Sequence, residues 1–527
     1  MESTDEQAME DSESAIDRIS MLPTEILHNI LSLVRIRAVV RMRRLSKRWR
    51  QVCESLQFIC LVHSEFERWE VKKFTRFVNN LLLLRAKADL HTFQLHWYGN
   101  SSLNCNDVMI WIGYAVKHSV KVLDLDLAYD HTFLPHCIFN CPSLQELNLQ
   151  LGAPLYGHLG FVLPSAINLP SLKKLTLSDV EVSQVSLDQI IAQSPGLEDL
   201  NLQNCARYFK LIDSNVLKVL TLQGFKDGSG DRLTITAPCL IHFECMGCPL
   251  EDIYWTERPC LESARIETSG CTFDGQPEFT GISLHAKRLT KLTLYGLDVK
   301  VMLEKQLPTC SVFENLKDLY VGDWCLSDNL YIVLRFLQLS PRLEKLTIAH
   351  EKRSKATKVA GTDAVPINGM TIQCSLLETV VIRCCKNDGE VDKIVNAMVV
   401  NGVSSEKIHV TYYKDIVKRC LAEVKSQGQE RQKELAILEK TLKEHPEWVD
   451  GSNYAESDSG NSEDYDSDNS EDNDSDNSED DDDEMEDEDD NDEMEDEDDN
   501  DKTEDEDDDA NSMEDDADNN EYDNDDL

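Results

Sequence analysis

The most regular feature of the sequence is a short apolar pattern that recurs between Leu90 and Ile382. Each copy has the form apolar-x-x-apolar-x-apolar, and its last positions have the period of two that is typical of a β-strand with one buried face. The twelve copies begin at Leu90, Val120, Leu144, Leu172, Leu197, Leu217, Leu240, Leu261, Leu289, Leu316, Leu343 and Leu377. Because the copies follow one another in order, the sequence predicts a stacked array of similar units.

The spacing of the copies indicates the kind of array. Successive copies start 20 to 34 residues apart, and most of these intervals fall within the ~20–29 residues of a leucine-rich repeat. In each unit, alternation points Leu147 and Leu149 inward, and Asn148 outward. Stacked units place these strands in one curved parallel sheet over a continuous leucine core. The predicted fold class is therefore α/β: a leucine-rich-repeat solenoid with the sheet inside, and with helices and loops outside.

The segments between strands predict what lies on the outer side of the solenoid. Ser186 to Ala192 begins with a residue that suits a helix cap, and Asn329 to Leu339 is apolar at helical spacing. The units of 20 to 23 residues have room only for loops on that side. The longest interval, before Leu377, contains a polar stretch that predicts an exposed loop.

Both flanks of the array follow other patterns. Residues 18–60 predict a compact helical unit whose first helix has two adjoining apolar stripes, namely Leu27, Leu31 and Val34, and Ile26, Ile30 and Leu33. So many apolar faces on a short unit need a partner surface. Residues 61–88 also show helical periodicity. After the array, the sequence predicts a helix over 391–400, a closing strand over 407–412 and a charged helix over 414–444.

The charge of the chain is concentrated at its two ends. The formal net charge is −47, but residues 451–527 contain 43 acidic residues and one lysine, and residues 1–17 contain seven acidic residues and no base. The body between the ends is nearly neutral. Segments of this composition cannot bury a core, so we expect both ends to be disordered. A neutral body argues against general binding to nucleic acid or to an anionic membrane.

The cellular compartment is predicted from two kinds of segment that the sequence lacks, a secretory signal and a membrane span. The start is acidic where a secretory signal would be basic and then apolar, and no apolar run reaches the roughly 18 residues of a membrane span. The 17 cysteines are therefore expected to be reduced thiols, many of them in the core. We expect the protein in the nucleus, the cytoplasm or both.

One stretch of the N-terminal unit resembles a known family. Leu-Pro-x-Glu-Ile-Leu-x-x-Ile-Leu-Ser at 22–32, Ala-Val at 38–39 and Leu-Ser-Lys-Arg-Trp-Arg at 45–50 look like an F-box, in particular that of plant F-box/leucine-rich-repeat proteins. The segment 376–399 is similar to the FBD domain of the same proteins. The family usually has Leu-Pro and a short polar turn where this chain has Val34-Arg35, and its second helix is less basic. This departure leaves open whether the turn and adaptor binding are altered.

The resemblance implies a function and a docking surface. F-box proteins bind a Skp-family adaptor, which connects them to a cullin–RING ubiquitin ligase, while the repeats hold a protein substrate. The protein would then be a non-catalytic receptor subunit, without catalytic residues or a cofactor of its own. The adaptor-binding residues carried over by position are Leu22, Pro23, Ile26, Leu27, Ile30, Leu31, Val39, Leu45 and Trp49. The alternative is that these residues form only a helical core that packs on the first repeat.

Together these patterns divide the chain into six parts. They are an acidic N-terminus (1–17), the F-box (18–60), a helical linker (61–88), the leucine-rich repeats (89–385), an FBD-like cap with a charged helix (386–450) and an acidic tail (451–527).

The outward strand positions are the predicted substrate surface. Their charges alternate in sign from unit to unit, which suits a protein better than a polyanion. Tyrosine is enriched among binding hot spots. The candidate substrate-binding residues are Asn148, Asn201, Arg265, Tyr295 and Tyr320.

Other candidate chemistry is weaker. Cys245 and Cys248, with Cys239 and Cys260 nearby, could suggest zinc, but Cys245 occupies an inward position, so we expect core thiols and no metal site. The basic run from Arg35 to Arg50 is interpreted as a solvated face or as a contact to an acidic adaptor rather than to nucleic acid. No nucleotide-binding or hydrolase motif is present.

A second function stays open because of the tail. Leucine-rich repeats followed by an acidic tail also resemble the acidic leucine-rich nuclear phosphoproteins, which bind histones and other basic proteins. Those proteins lack an F-box, so the N-terminal motif discriminates between the two functions.

Overall fold

The architecture is taken from a computed structural model. It describes residues 19, 21–85, 88–97, 103–127, 134–152, 161–224, 226–227, 232–247, 253–257, 259–267, 288–296, 299, 303, 312–324, 330–350, 375–386 and 391–426. The chain divides into two units, Met1–Tyr454 and Ala455–Leu527, and all described residues belong to the first. Three predictions fall outside these residues. They are the disorder of both acidic ends, the loop before Leu377 and the charged helix beyond residue 426.

One parallel sheet of fourteen strands carries the repeats. Its strands follow one another in chain order, and we number them accordingly. They are β1 (Phe58–Val62), β2 (Thr92–Trp97), β3 (Val122–Leu127), β4 (Glu146–Leu151), β5 (Lys174–Ser178), β6 (Asp199–Gln203), β7 (Val219–Gln223), β8 (His242–Met246), β9 (Ser263–Glu267), β10 (Lys291–Tyr295), β11 (Asp318–Trp324), β12 (Lys345–His350), β13 (Thr379–Cys384) and β14 (Ile408–Tyr412). All twelve predicted copies form strands, β2 to β13, which confirms the α/β repeat fold.

The strands pair in a constant register, apart from one shift between Val321 and Trp324 of β11, so equivalent residues of successive repeats are neighbours. Leu147 is paired with Leu123 on one side and Leu175 on the other. These inward leucines are buried, and one hydrophobic core runs from Leu27 to Val403. The outward positions between them form rows of polar side chains that also run across the sheet.

The opposite side of the shorter repeats differs from the prediction. Where only loops were expected, the structure has short parallel strands that pair from repeat to repeat. One small sheet contains Leu211–Asp213, Leu233–Thr236 and Ile253–Trp255, and another contains Phe161–Val162, Val180–Ser183, Ala206–Tyr208 and Lys226–Asp227. The expectation of loops was wrong because even three extended residues satisfy their backbone groups by pairing with the next repeat.

Six helices accompany the sheet on the described part of the chain after the N-terminal module. They are α4 (Val71–Leu83), α5 (Cys105–Lys117), α6 (Gln184–Gln193), α7 (Tyr331–Leu339), α8 (Val391–Val400) and α9 (Tyr413–Ser426). The cap of α6 is Ser183, whose hydroxyl accepts a hydrogen bond from the backbone N–H of Ser186 at 3.1 Å. The prediction of Ser186 as the cap was therefore wrong by one helical turn. None of the helices on the described residues is long and apolar enough to cross a membrane.

The sheet begins earlier than the sequence pattern indicates. Residues Phe58–Val62 form β1, which pairs with β2, although the helical unit was expected to extend to residue 60. The segment 61–88 is helical only in part: a 3₁₀ turn at His63–Glu65 and helix α4 follow the strand. At the other end, β14 matches the predicted closing strand to within one residue, and α8 has the predicted bounds.

The leucine core leads to a stability prediction. Leu147→Ala removes a buried inward side chain from β4, so we expect it to lower the free energy of unfolding by about 2–5 kcal/mol. Gln150→Ala, at an exposed outward position of the same strand, should change it by less than about 0.5 kcal/mol. Denaturant unfolding followed by circular dichroism measures both, and equal losses would contradict the assignment of the two faces.

Candidate docking and substrate surfaces

Three short helices form the N-terminal module: α1 (Thr24–Leu31), α2 (Ile36–Met42) and α3 (Lys47–Glu54). The Leu-Ser-Lys-Arg-Trp-Arg motif holds them together. The Ser46 hydroxyl caps α3 by accepting from the Trp49 backbone N–H at 3.2 Å. The Arg48 guanidinium donates to the Leu22 carbonyl at 2.6 Å, which ties α3 to the start of α1. The main structural role of this motif is therefore to fix the helices relative to one another.

The predicted docking residues separate into a buried and an exposed group. Leu27, Leu31, Val39 and Trp49 are buried in the core of the module, and Leu22 is half-buried against it. The four buried side chains offer almost no surface to a partner. We therefore assign the buried residues the role of holding the helices in place, and their exposed neighbours are the candidates for docking.

The exposed group is an apolar stripe that the module leaves uncovered. Ile26 and Ile30, one turn apart on α1, are 44% and 43% exposed, and Leu45 is 67% exposed. Pro23 is exposed beside them, and Leu33 continues the stripe at 80% exposure. Exposed apolar clusters of this kind mark interaction surfaces in soluble proteins.

The turn between α1 and α2 adopts the backbone that a proline would prefer. Arg35, at the position where the family has its turn, has φ −54° and ψ 135°. Proline fixes φ near −65°, so the arginine reproduces that conformation without the ring. The interhelical geometry is thus compatible with the family pattern despite the substitution.

A carboxylate from the repeat side fixes the module to the sheet. Glu65, just after β1, accepts a hydrogen bond from the Arg37 backbone N–H at 2.8 Å and so caps the start of α2. The Arg37 guanidinium donates to the Glu65 carbonyl at 3.1 Å and lies 4.4 Å from the ring centroid of Trp69. Burial raises the pKa of the Glu65 carboxyl, and the contacts with Arg37 partly oppose this rise.

A buried arginine reinforces the same junction. The Arg85 guanidinium donates to the carbonyls of Leu56, Ala88 and Asp89 at 2.8–2.9 Å. These carbonyls belong to the end of the module and to the approach of β2. The candidate docking surface and the repeats are therefore parts of one packed body.

The raised pKa of Glu65 leads to a pH prediction. Because the folded protein holds this proton at a higher pH than the unfolded chain, the associated stability is complete below the ordinary pKa of 4.5 and is lost as pH rises through the folded pKa. Glu65→Gln keeps an acceptor for the Arg37 N–H but cannot ionise. We expect its stability relative to wild type to increase from about pH 5 towards neutrality.

Denaturant midpoints at several pH values measure this difference. Glu70→Gln, an exposed glutamate five residues away, is the matched control and should follow wild type. A Glu65→Gln variant that also runs parallel to wild type over the whole range would show that the carboxyl does not titrate as described.

The predicted substrate residue Asn148 lies in a polar network at the N-terminal end of the outward face. Its amide donates to Asp124 Oδ1 at 2.7 Å. Asp124 Oδ2 also accepts from Gln94 at 2.8 Å and lies 2.8 Å from His96 Nε2. Asn148 is thus already engaged by its neighbours, and is better placed to support this surface than to recognise a substrate.

The other predicted substrate residues lie further along the face. Asn201 is half-buried in β6, and its side-chain oxygen is buried without a hydrogen-bond partner. Arg265, Tyr295 and Tyr320 lie together, in three adjacent strands. The Arg265 Cζ is 5.3 Å from the Tyr295 ring centroid, and the two tyrosine centroids are 4.8 Å apart.

Two further residues of this cluster were not predicted. The Arg383 Cζ lies 5.5 Å from the Tyr320 ring centroid and extends the row to β13. Gly322 lies under Tyr295: a Cβ there would be 2.7 Å from the ring, so only glycine lets the ring lie flat on β11. We call Arg265, Tyr295, Tyr320 and Arg383 the Arg-Tyr row. No local motif signals it, because its members are up to 118 residues apart in sequence.

The cysteines do not form a metal site within the described part of the chain. Cys245 is buried in β8, whereas Cys239 and Cys260 are exposed, and Cys248 lies outside the described residues. No group of three or more potential ligands is present among the described residues. Burial raises the pKa of Cys53 and of Cys205 to about 11, which keeps these two core thiols protonated.

The helical module and the sheet together are similar to an F-box joined to leucine-rich repeats. Comparison with family models supports both parts. Residues 19–61 match the F-box domain, and residues 108–348 match the leucine-rich repeats of "FBD-associated F-box protein At5g56370". These matches confirm the resemblance to plant F-box/leucine-rich-repeat proteins.

The chain is also similar to individual proteins from Arabidopsis thaliana. The chain is 33% identical to FBD-associated F-box protein At5g56380 over 37% of its own length and 47% of the relative. It is 26% identical to F-box/FBD/LRR-repeat protein At4g26340 over 63% of the chain and 77% of the relative. It is 27% identical to F-box/LRR-repeat protein At5g02910 over 71% of the chain and 68% of the relative. The chain thus spans about half the length of the first relative and more of the other two.

Proposed function

We propose that this protein is a substrate-recognition subunit of an SCF-type cullin–RING ubiquitin ligase. In this function the F-box docks a Skp-family adaptor, and the outward face of the repeats holds a protein substrate for ubiquitination and proteasomal degradation. The protein would contribute binding and orientation, and the transfer chemistry would belong to the other subunits. Its place of action would be the nucleus, the cytoplasm or both.

The observation that carries this proposal is the uncovered apolar stripe on a module whose core residues Leu27, Leu31, Val39 and Trp49 are buried. Ile26, Ile30 and Leu45 expose apolar area that a partner can remove from water at about 25 cal/mol per Å². Exposed basic residues, including Arg44, Lys47 and Arg50, follow on the same module. An adaptor with an acidic rim would be attracted to them, which increases the association rate at low salt.

The rigid junction with the repeats supports the same function. Glu65 and Arg85 join the module to the first strands through hydrogen bonds with backbone groups. A receptor benefits from such a connection because the substrate is then held in one orientation relative to the ligase, and orientation is a large part of any proximity effect.

The double variant Ile26→Lys/Ile30→Lys tests the docking surface. Two charges in the apolar stripe should weaken co-purification of a recombinant Skp-family adaptor with the full chain by at least about 100-fold, because hot-spot substitutions cost about 2 kcal/mol or more each. Both side chains are partly exposed, so the thermal unfolding temperature should stay close to that of wild type.

The matched control is Ile110→Lys, which places the same charge on an exposed isoleucine of α5, outside the F-box. It should retain the adaptor. Wild-type protein that fails to bind any Skp-family adaptor, or a double variant that binds as well as the control, would refute the proposed docking.

The tail supports a second candidate function, the binding of histones or other basic proteins in the nucleus. Its 43 acidic residues within 77 give it a charge density that attracts polycations at low salt. Deletion of residues 451–527 should abolish salt-sensitive histone binding and leave adaptor binding unchanged. Histone binding without adaptor binding by the wild-type chain would favour this second function over the first.

A further inference from the structure

The positive charge of the Arg-Tyr row is balanced only in part by its described neighbours. The Nε of Arg265 is buried without a hydrogen-bond partner, and its Nη2 lies 3.4 Å from Glu267 Oε2, at the long limit of a contact. Among the residues that the structure describes, none places a carboxylate within ion-pair distance of Arg383. The Arg265 side chain is 41% exposed, so its terminal nitrogens, rather than the buried Nε, can donate to an external carboxylate, and the Arg383 guanidinium can do the same.

The charge of the outward face changes sign along the sheet. Strands β2 to β4 present Asp124 and Glu146 on the outward face and no lysine or arginine, and a third acidic residue at an outward position, Asp126, is buried. Strands β9 to β13 present four bases against two acids at the equivalent positions. The bases are Arg265, Lys291, Lys345 and Arg383, and the acids are Glu267 and Asp318. The end of the face that carries the Arg-Tyr row is therefore positive overall.

The two rings of the row form a fixed platform. Tyr295 lies over Gly322 and beside Tyr320, with 37° between the ring planes. An arginine borders each ring on its outer side. Neighbours already hold the rings in place. Packing of an apolar or aromatic group on them therefore costs little conformational entropy of the rings.

We propose that the Arg-Tyr row binds a short acidic peptide segment of the protein substrate, in which an aromatic or aliphatic side chain lies next to Asp or Glu. The apolar side chain packs on Tyr295 and Tyr320, and carboxylates meet Arg265 and Arg383. Four strand spacings of about 4.8 Å separate β9 from β13, roughly 19 Å, which is the length of about six extended residues. This inference rests on the proposed function as a substrate receptor.

Other ligands fit the row less well. A basic peptide would be repelled by the two arginines, because Glu267 lies near Arg265 only and no described carboxylate lies near Arg383. A long polyanion such as a nucleic acid that continued along the sheet would meet Asp124 and Glu146. A short segment with local negative charge avoids both penalties, because like charges repel across such surfaces.

Selection from a peptide library tests the inference. Randomised peptides of about nine residues, longer than the estimated footprint, are displayed on phage and selected on the full-length protein at physiological salt. We expect enrichment of Asp or Glu beside an aromatic or aliphatic residue. Arg383→Gln and Tyr320→Ala should each weaken binding of an enriched peptide by about tenfold or more.

The controls separate this row from the rest of the molecule. Lys174→Gln removes a charge from the same face in β5, and Tyr254→Ala removes an exposed tyrosine of the strand Ile253–Trp255. Both should bind the peptide as wild type does. Selection without enrichment of acidic residues, or equal binding by all four variants, would overturn the proposal.

Adaptor co-purification with the same variants distinguishes the two proposals. Variants of the row should retain the adaptor, which also shows that they are folded. Adaptor binding without acidic peptide selection would refute the inference about the row alone. Peptide selection without adaptor binding would refute the proposed function and leave the acidic-peptide site standing.

Discussion

Constant register between parallel strands is the constraint on which the rest of this structure depends. Each repeat offers the same alternation, so pairing without a shift places leucine beside leucine on one face and polar residue beside polar residue on the other. The inward set forms a core that no single repeat could build. The outward set becomes a surface whose members come from distant parts of the sequence but lie one strand spacing apart.

The repeats could be predicted because period and spacing agree over twelve copies, whereas the first strand could not. Phe58 to Val62 is a continuous apolar run that follows a helix directly, and such a run does not distinguish strand from buried helix. The short strands of the two small sheets were not predicted for a related reason. Three or four residues are too few for a period, and their pairing is decided by the adjacent repeat.

The two candidate surfaces show the same limit at the level of single residues. Ile26 and Leu27 are equally apolar and adjacent, yet one is exposed and the other buried, because only the packing of α1 against α3 decides which stripe is covered. Tyr295 and Tyr320 could be selected as outward aromatic residues. Arg383 and Gly322 could not, since their importance comes from neighbours in other strands.

The position of β1 has a consequence for how proteins of this organisation can diversify. Residues 58–62 belong to the sheet, while Leu56 and Val52 just before them belong to the core of the helical module, and all are packed in one continuous interior. Recombination that joined a foreign F-box to these repeats at residue 60 would cut through a strand. A chimera that preserves this packing must carry the first strand and its helical cover together, because both contribute to one core.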